Sequence, residues 1–148
     1  MPDDGSPEAI LALGQAVLAA QPFSALLGTQ LHALSPGAVE LHLPLTDKLR
    51  QQNGFAHGGV VSYMADNALT YAGGAAMRVP VITSEFKINY LRPGLGERLI
   101  ARARALHVGR SQAVCGCEIF AVQNGAEKLC AVAQGTIVRL PAAKEKSP

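Results

Sequence analysis

The stretch HGGVVSYMADNALTYAGGAAM, His57 to Met77, limits what this chain can fold into more than any other. At about 100° per residue, Ser62, Asp66 and Thr70 fall on one narrow stripe, with Gly59 and Gly73 beside it. Val60, Val61, Met64, Ala68, Tyr71, Ala72 and Ala75 take the opposite side. Most of these side chains are small, so other backbones can approach the helix on several sides. A helix this apolar, carrying a single carboxylate, belongs at the centre of a fold.

Two features of the stretch look like chemistry. Gln51 to Ala56 reads as a loop that delivers His57-Gly58-Gly59 to the helix start. The Gly58 and Gly59 N–H groups then stand at a helix N-terminus, where unpaired donors and the helix dipole favour a developing negative charge. Glycine also lets a carbonyl oxygen come close. Asp66, on the polar stripe, can act as a base or a nucleophile. The plainer alternative is that Gly-Gly starts a helix and Asp66 is a solvated acid. His57 can serve as an acid or a substrate contact, but fixing the loop through a hydrogen bond is the favoured role.

The spacing adds a constraint. Gly58 and Asp66 are eight residues apart, which on a helix is about 12 Å. The two cannot act on one carbonyl within a single subunit. If both serve one reaction, the second comes from another copy, which implies a dimer with antiparallel central helices and two shared sites.

At 148 residues the chain makes one domain, spanning 1–148 with disordered tails at about 1–5 and 141–148. Hydrophobic residues are 49% and charged residues 16%, a balance that suggests surface hidden in an oligomer. A net charge of +2 and no basic cluster interleaved with aromatics argue against nucleic acid as a partner. Acids in MPDDGSPE stand where a signal peptide needs positive charge, and Ile10 to Gly28 carries Gln15, Gln21 and Pro22, against a membrane span. Three cysteines make no disulfide framework, so a cytoplasmic location is expected.

Ser6-Pro7-Glu8 reads as the start of a helix running to about Ala20, with Ile10, Leu13 and Val17 on one face and Leu11 and Leu18 beside it. Thr29 to Leu34 and Ala38 to Pro44 read as strands, the second burying Val39, Leu41 and Leu43 and turning His42 to solvent without a role. After the central helix come strand-like runs Val81–Leu91, Arg98–His107, Gln112–Val122 and Lys128–Arg139, with Asn124-Gly125 among their turn signals. The first of these sets Thr83, Glu85, Lys87 and Asn89 against Ser84, Phe86, Ile88 and Tyr90. Rows of small residues on the next two, ending with Ala113, Cys115, Cys117, Ile119 and Ala121, suit a curved sheet closing on a helix. The expected class is α+β: an antiparallel six-stranded sheet wrapped around a long central helix, with a helix before it.

Other candidates are weaker. Cys115, Cys117 and Cys130 with His107 lack a metal-site spacing and read as small buried groups, so no metal is expected. Arg92 and Arg110, of the strand-edge arginines, are the two best placed to bind phosphates at a site mouth.

At HGG with Asp66, and again at Asn89-Tyr90-Leu91-Arg92-Pro93-Gly94 and the Gly125…Ala131…Gly135-Thr136 run, the chain resembles the hotdog-fold acyl-CoA thioesterases, most of all the phenylacetate-pathway (PaaI-type) group. The resemblance covers about residues 23–139. It implies a homodimer whose sheets join edge to edge, with a dimer of dimers as a further step. It implies that Gly58 gives its N–H to the thioester carbonyl and that Asp66 of the other subunit is the base or nucleophile. A hydroxyl after the helix assists, with Thr83 the best match and Ser84 in reserve. Relatives often carry Asn where Gln51 stands, and Asn53 lies just before Gly54, so both join His57 and Gly59 as candidate substrate contacts. The function implied is hydrolysis of an aryl-acyl or medium-chain acyl-CoA without a cofactor. The alternatives are a non-catalytic acyl-CoA sensor on the same fold, or a hydratase or dehydratase.

Overall fold

The structure, a computed structural model, describes residues 4–142. Of the expected tails, 1–3 and 143–148 lie outside the described residues, and the Asp4 carboxylate accepts the Ser6 N–H at 2.9 Å. Elements follow in the order α1 (Pro7–Ala19), α2 (Pro22–Leu27), β1 (Gln30–Ser35), β2 (Ala38–Pro44), a 3₁₀ turn (Asp47–Leu49), α3 (Gly58–Met77), β3 (Val81–Tyr90), β4 (Arg98–Val108), β5 (Gln112–Gln123) and β6 (Ala126–Arg139). The strands make one antiparallel sheet in the order β1-β2-β4-β5-β6-β3. This is the α+β arrangement that the sequence implies.

Local signals account for the boundaries. Ser6 Oγ caps α1 by accepting the Ala9 N–H at 3.1 Å, with Pro7 in the first turn. Asn124 and Gly125 both take positive φ, 52° and 76°, as a two-residue hairpin turn requires. That tight turn lets pairing begin at once, Gln123 with Ala126, so β6 starts two residues before Lys128.

The core lies between α3 and the inner face of the sheet. Val60, Val61, Met64, Ala65, Ala68, Leu69 and Ala72 of α3 are buried with Leu41, Leu43, Leu99, Ile119 and Ile137 of the sheet. Between them run Ala101, Ala103, Ala113, Cys115, Cys117 and Ala121, all buried and all small, which lets the sheet curl close to the helix. A third face of α3 holds the N-terminal layer. The Tyr63 hydroxyl meets Ser24 Oγ at 2.5 Å, Thr29 Oγ1 at 2.8 Å and Asn67 Nδ2 at 3.2 Å, while Tyr71 donates to the Gly14 carbonyl at 2.9 Å.

Four expectations need correction. On α1 the face turned inward is Gly14 with Leu18, and Leu13 and Val17 are exposed. Gly14 decides this, because a Cβ there would lie 2.6 Å from Leu34, so only this face lets the helix sit so close to β1. His42 is on the outer face as expected but is buried, covered by the stacked ring of His32. On β3 a bulge between Thr83 and Glu85 resets the alternation, so Thr83 shares the inner side with Phe86 and Ile88, and Ser84 is exposed.

Gly73, expected beside the polar stripe, is buried against β6. A Cβ there would lie 2.7 Å from Ile137 Cβ. Gly73→Ala gains helix propensity of up to about 1 kcal/mol. Overpacking opposes it, and the net expectation is a loss of about 1–3 kcal/mol. Thermal denaturation checks this; an unchanged midpoint would show that the helix–sheet contact can give way.

Candidate active site

The start of α3 forms one half of the site. His57 is the N-cap, and its Nδ1 accepts the Gly59 N–H at 2.8 Å. Its carbonyl accepts the Val60 and Val61 N–H groups at 2.9 and 3.2 Å. Of the four N–H groups in this first turn, three are therefore taken. The fourth, the Gly58 N–H, meets no acceptor among the described residues. His57 thus caps the helix through its side chain, and this removes the Gly59 N–H from the pair of free donors that the sequence suggested.

Gly58 lines a cleft of about 370 Å³, together with Gln51, Phe55, Ala56, Val61, Tyr90, Leu91, Arg92, Pro93, Gly94 and Cys130. Its floor is mostly apolar and its cation is Arg92. The sequence reading gave Tyr90 no role. Its hydroxyl donates to the Gly58 carbonyl at 3.1 Å and meets Ser62 Oγ at 2.5 Å, tying the end of β3 to the first turn of α3. Its partners lie 28 and 32 residues away, so its place in the Asn89–Gly94 motif was the one local signal.

The other half lies further along α3. Thr83 Oγ1 donates to Asp66 Oδ1 at 2.6 Å, and Thr70 Oγ1 lies 2.7 Å from Thr83 Oγ1 and 2.8 Å from the Asp66 carbonyl. An ionised carboxylate only accepts, so Thr83 spends its one proton on Asp66. The Thr70 hydroxyl is then the donor to Thr83 or to the Asp66 carbonyl. This chain fixes one carboxylate oxygen, while Asp66 itself remains partly exposed and has no cation paired with it among the described residues. Asp66 does not line the Gly58 cleft.

A family model described as the thioesterase superfamily matches residues 53–128, about half of the chain. The chain belongs to that superfamily. The solved structure of a thioesterase family protein from Silicibacter pomeroyi is 38% identical, with a TM-score of 0.80 over 83% of this chain and 92% of that one. The 1,4-dihydroxy-2-naphthoyl-CoA hydrolase of Listeria monocytogenes is 29% identical over 75% of this chain and 89% of its own length. The acyl-coenzyme A thioesterase PaaI of Escherichia coli is 28% identical over 77% of this chain and 79% of its own. The six-stranded sheet around α3 is thus the hotdog fold of a thioester hydrolase.

The remaining candidates of this thioesterase separate. Gln51 is on the cleft, but its side-chain oxygen accepts the Asn53 N–H, and Asn53 is exposed in the turn, off the cleft wall. Ser84 stands at the bulge, outside the Asp66–Thr83–Thr70 chain. Arg110 lies in the turn between β4 and β5, at the far end of β4 from Gly94 and Arg92. The cysteines are free and buried; burial pushes the Cys115 thiol up to about 11 and the Cys117 thiol up to about 12. Such thiols are poor nucleophiles. Among the described residues they do not gather with His107 into a metal-ligand group. No helix of the described residues is long and apolar enough to cross a membrane.

Proposed function

We propose that this thioesterase hydrolyses an aryl-acyl or medium-chain acyl-CoA to the free acid and CoA, in a dimer whose sites are shared between subunits. The observation that carries the reading is the Gly58 N–H, left without an acceptor on the wall of a cleft when the rest of its helical turn is satisfied. A thioester carbonyl oxygen is the acceptor it suits. Such a donor is worth about 2.7–4 kcal/mol in the transition state, where the oxygen carries developing charge. Asp66 of the partner subunit takes a proton from water or attacks the carbonyl carbon, with Thr83 orienting it. The thiolate of CoA leaves, and water is the only co-substrate. Arg92 at the cleft supplies a cation for CoA phosphates.

The free edge of β3 supports the dimer. Among the described residues β3 pairs only with β6, and its other edge runs open for ten residues, with Ile82 and Tyr90 exposed. An open edge this long is a template for another strand. A two-fold axis through it pairs β3 with its copy antiparallel. The Thr83 end of one strand then faces the Tyr90 end of the other, which carries the partner's Asp66 toward Gly58. Two such dimers can associate further. Three free buried cysteines fit a cytoplasmic, reducing setting.

Thiol release from phenylacetyl-, hexanoyl- and palmitoyl-CoA tests the reading. Phenylacetyl- or hexanoyl-CoA is expected to be cleaved fastest, since a cleft of about 370 Å³ suits a compact acyl group. Faster turnover of palmitoyl-CoA would overturn the acyl class. A panel that binds without releasing any thiol would leave a sensor in place of an enzyme.

A further inference from the structure

The outer face of the sheet, away from α3, carries a second cluster of chemistry-bearing groups. Glu40 and His42 alternate on β2 with the inward Val39, Leu41 and Leu43. His32 stands on β1 where the register steps between Leu31 and Ala33, so this extra residue is set between Glu40 and His42. His42 is nine-tenths buried, and its Nε2 is 2.6 Å from Glu40 Oε1. His32 is exposed, and its Nε2 is 4.0 Å from the same oxygen. The three side chains offer ligand atoms that all lie within 4.8 Å of one another.

We propose that His32, Glu40 and His42 form a binding site for one first-row divalent transition-metal ion, of the zinc or nickel class. Two imidazole nitrogens and a carboxylate oxygen are a donor set for such ions, whereas magnesium and calcium prefer oxygen alone. The surroundings hold the site ready. Arg102 Nε donates to Glu40 Oε2 at 3.0 Å, and its terminal nitrogens grip Glu127 at 2.7 and 2.8 Å. Glu40 is thereby fixed with Oε1 toward the histidines, as outer partners fix metal ligands. Glu40 and Glu127 set two carboxylates against the one Arg102 guanidinium.

One movement is required. The His32 and His42 rings stack at 4.4 Å with 18° between their planes, so their lone pairs run side by side. Bonds of about 2.0–2.1 Å to one ion need the two nitrogens to converge. His42 is held by Glu40, so the exposed His32 ring is the one that turns. In the metal-free cluster a Glu40 carboxylate can only accept, so His42 presents its Nε2 proton to Glu40 Oε1. The ion takes that proton's place at Nε2, the ring proton passing to Nδ1 through solvent, so that His42 binds as a neutral imidazole. Water completes the coordination on the open side. The site is independent of the thioesterase reading, because it stands on the opposite face from α3.

Calorimetric titration of the full metal-free chain with Zn²⁺ and, separately, Ni²⁺ tests it, with Mg²⁺ and Ca²⁺ as controls. One saturable site per chain is expected for the first two ions and none for the controls. His32→Ala, at an exposed position, keeps the fold and is expected to weaken binding about 10-fold or more. Imidazole NMR signals of His32 and His42 are expected to shift together on saturation, with those of His57 and His107 unchanged. No saturable binding, equal binding by Mg²⁺, or unaltered affinity in His32→Ala would each overturn the assignment.

Discussion

Asp66→Asn is expected to fold as the wild-type chain does and to lose thioester hydrolysis by about two orders of magnitude or more. The side chain keeps its shape, and an amide oxygen can still accept the Thr83 hydroxyl that now binds Asp66 Oδ1 at 2.6 Å. What disappears is the negative charge, and with it the capacity to take a proton from water or to attack a carbonyl. The core is untouched, since Asp66 is partly exposed beside the buried Ala65 and Leu69. The loss should fall on kcat more than on KM, because in the proposed reaction the charge acts on the reacting atoms rather than on the bulk of CoA. Denaturation midpoints and steady-state thiol release measure the two sides. A folded Asp66→Asn variant with near-normal turnover would remove Asp66 from the chemistry.

Why Asp66 was visible in the sequence, and Tyr90 was not, follows from what periodicity can record. A helix repeats over five turns, so one acid on an otherwise small and apolar stretch stands out before any contact is known. The same holds for the long strands, whose rows of Ala and Cys were read on their correct faces. Bulges defeat that reading. One extra residue at Ser84 reverses which side Thr83 takes, and another at His32 sets an imidazole beside His42. Neither insertion leaves a trace in composition, because the added residue is an ordinary strand residue. The resemblance to known thioesterases pointed to Thr83 where alternation alone grouped it with Glu85 and Lys87. Tyr90 belongs to a third class. Its hydroxyl matters through the backbone of Gly58 and through Ser62, both distant in sequence, and only the closed fold brings them together. The inward face of α1 was misread for a related reason: Gly14 adds nothing to a hydrophobic pattern, yet its missing side chain decides the approach.

Mixing two inactive variants is expected to restore activity. Along α3 the Gly58 N–H and the Asp66 carboxylate are about 12 Å apart, too far to meet at one carbonyl. In the proposed dimer each complete site takes Gly58 from one subunit and Asp66 from its partner. Gly58→Pro removes the N–H at the first helical position, where proline is accepted. His57 before it is already extended, φ −61° and ψ 137°, as a residue preceding proline must be. Space is also available, since a Cβ at Gly58 would lie 3.6 Å from the Tyr90 hydroxyl, an ordinary contact. Asp66→Ala removes the carboxylate from the other half. Each homodimer carries one lesion in every site and should be nearly inactive. A heterodimer, formed by unfolding and refolding the two together, gathers both lesions into one site and leaves the other intact. It should recover about half of the wild-type rate per dimer. If each site were built from a single chain, both sites of the heterodimer would stay damaged and nothing would return. Mass spectrometry of the intact mixture reports how many heterodimers form. Inactive mixtures that contain them would refute the shared site.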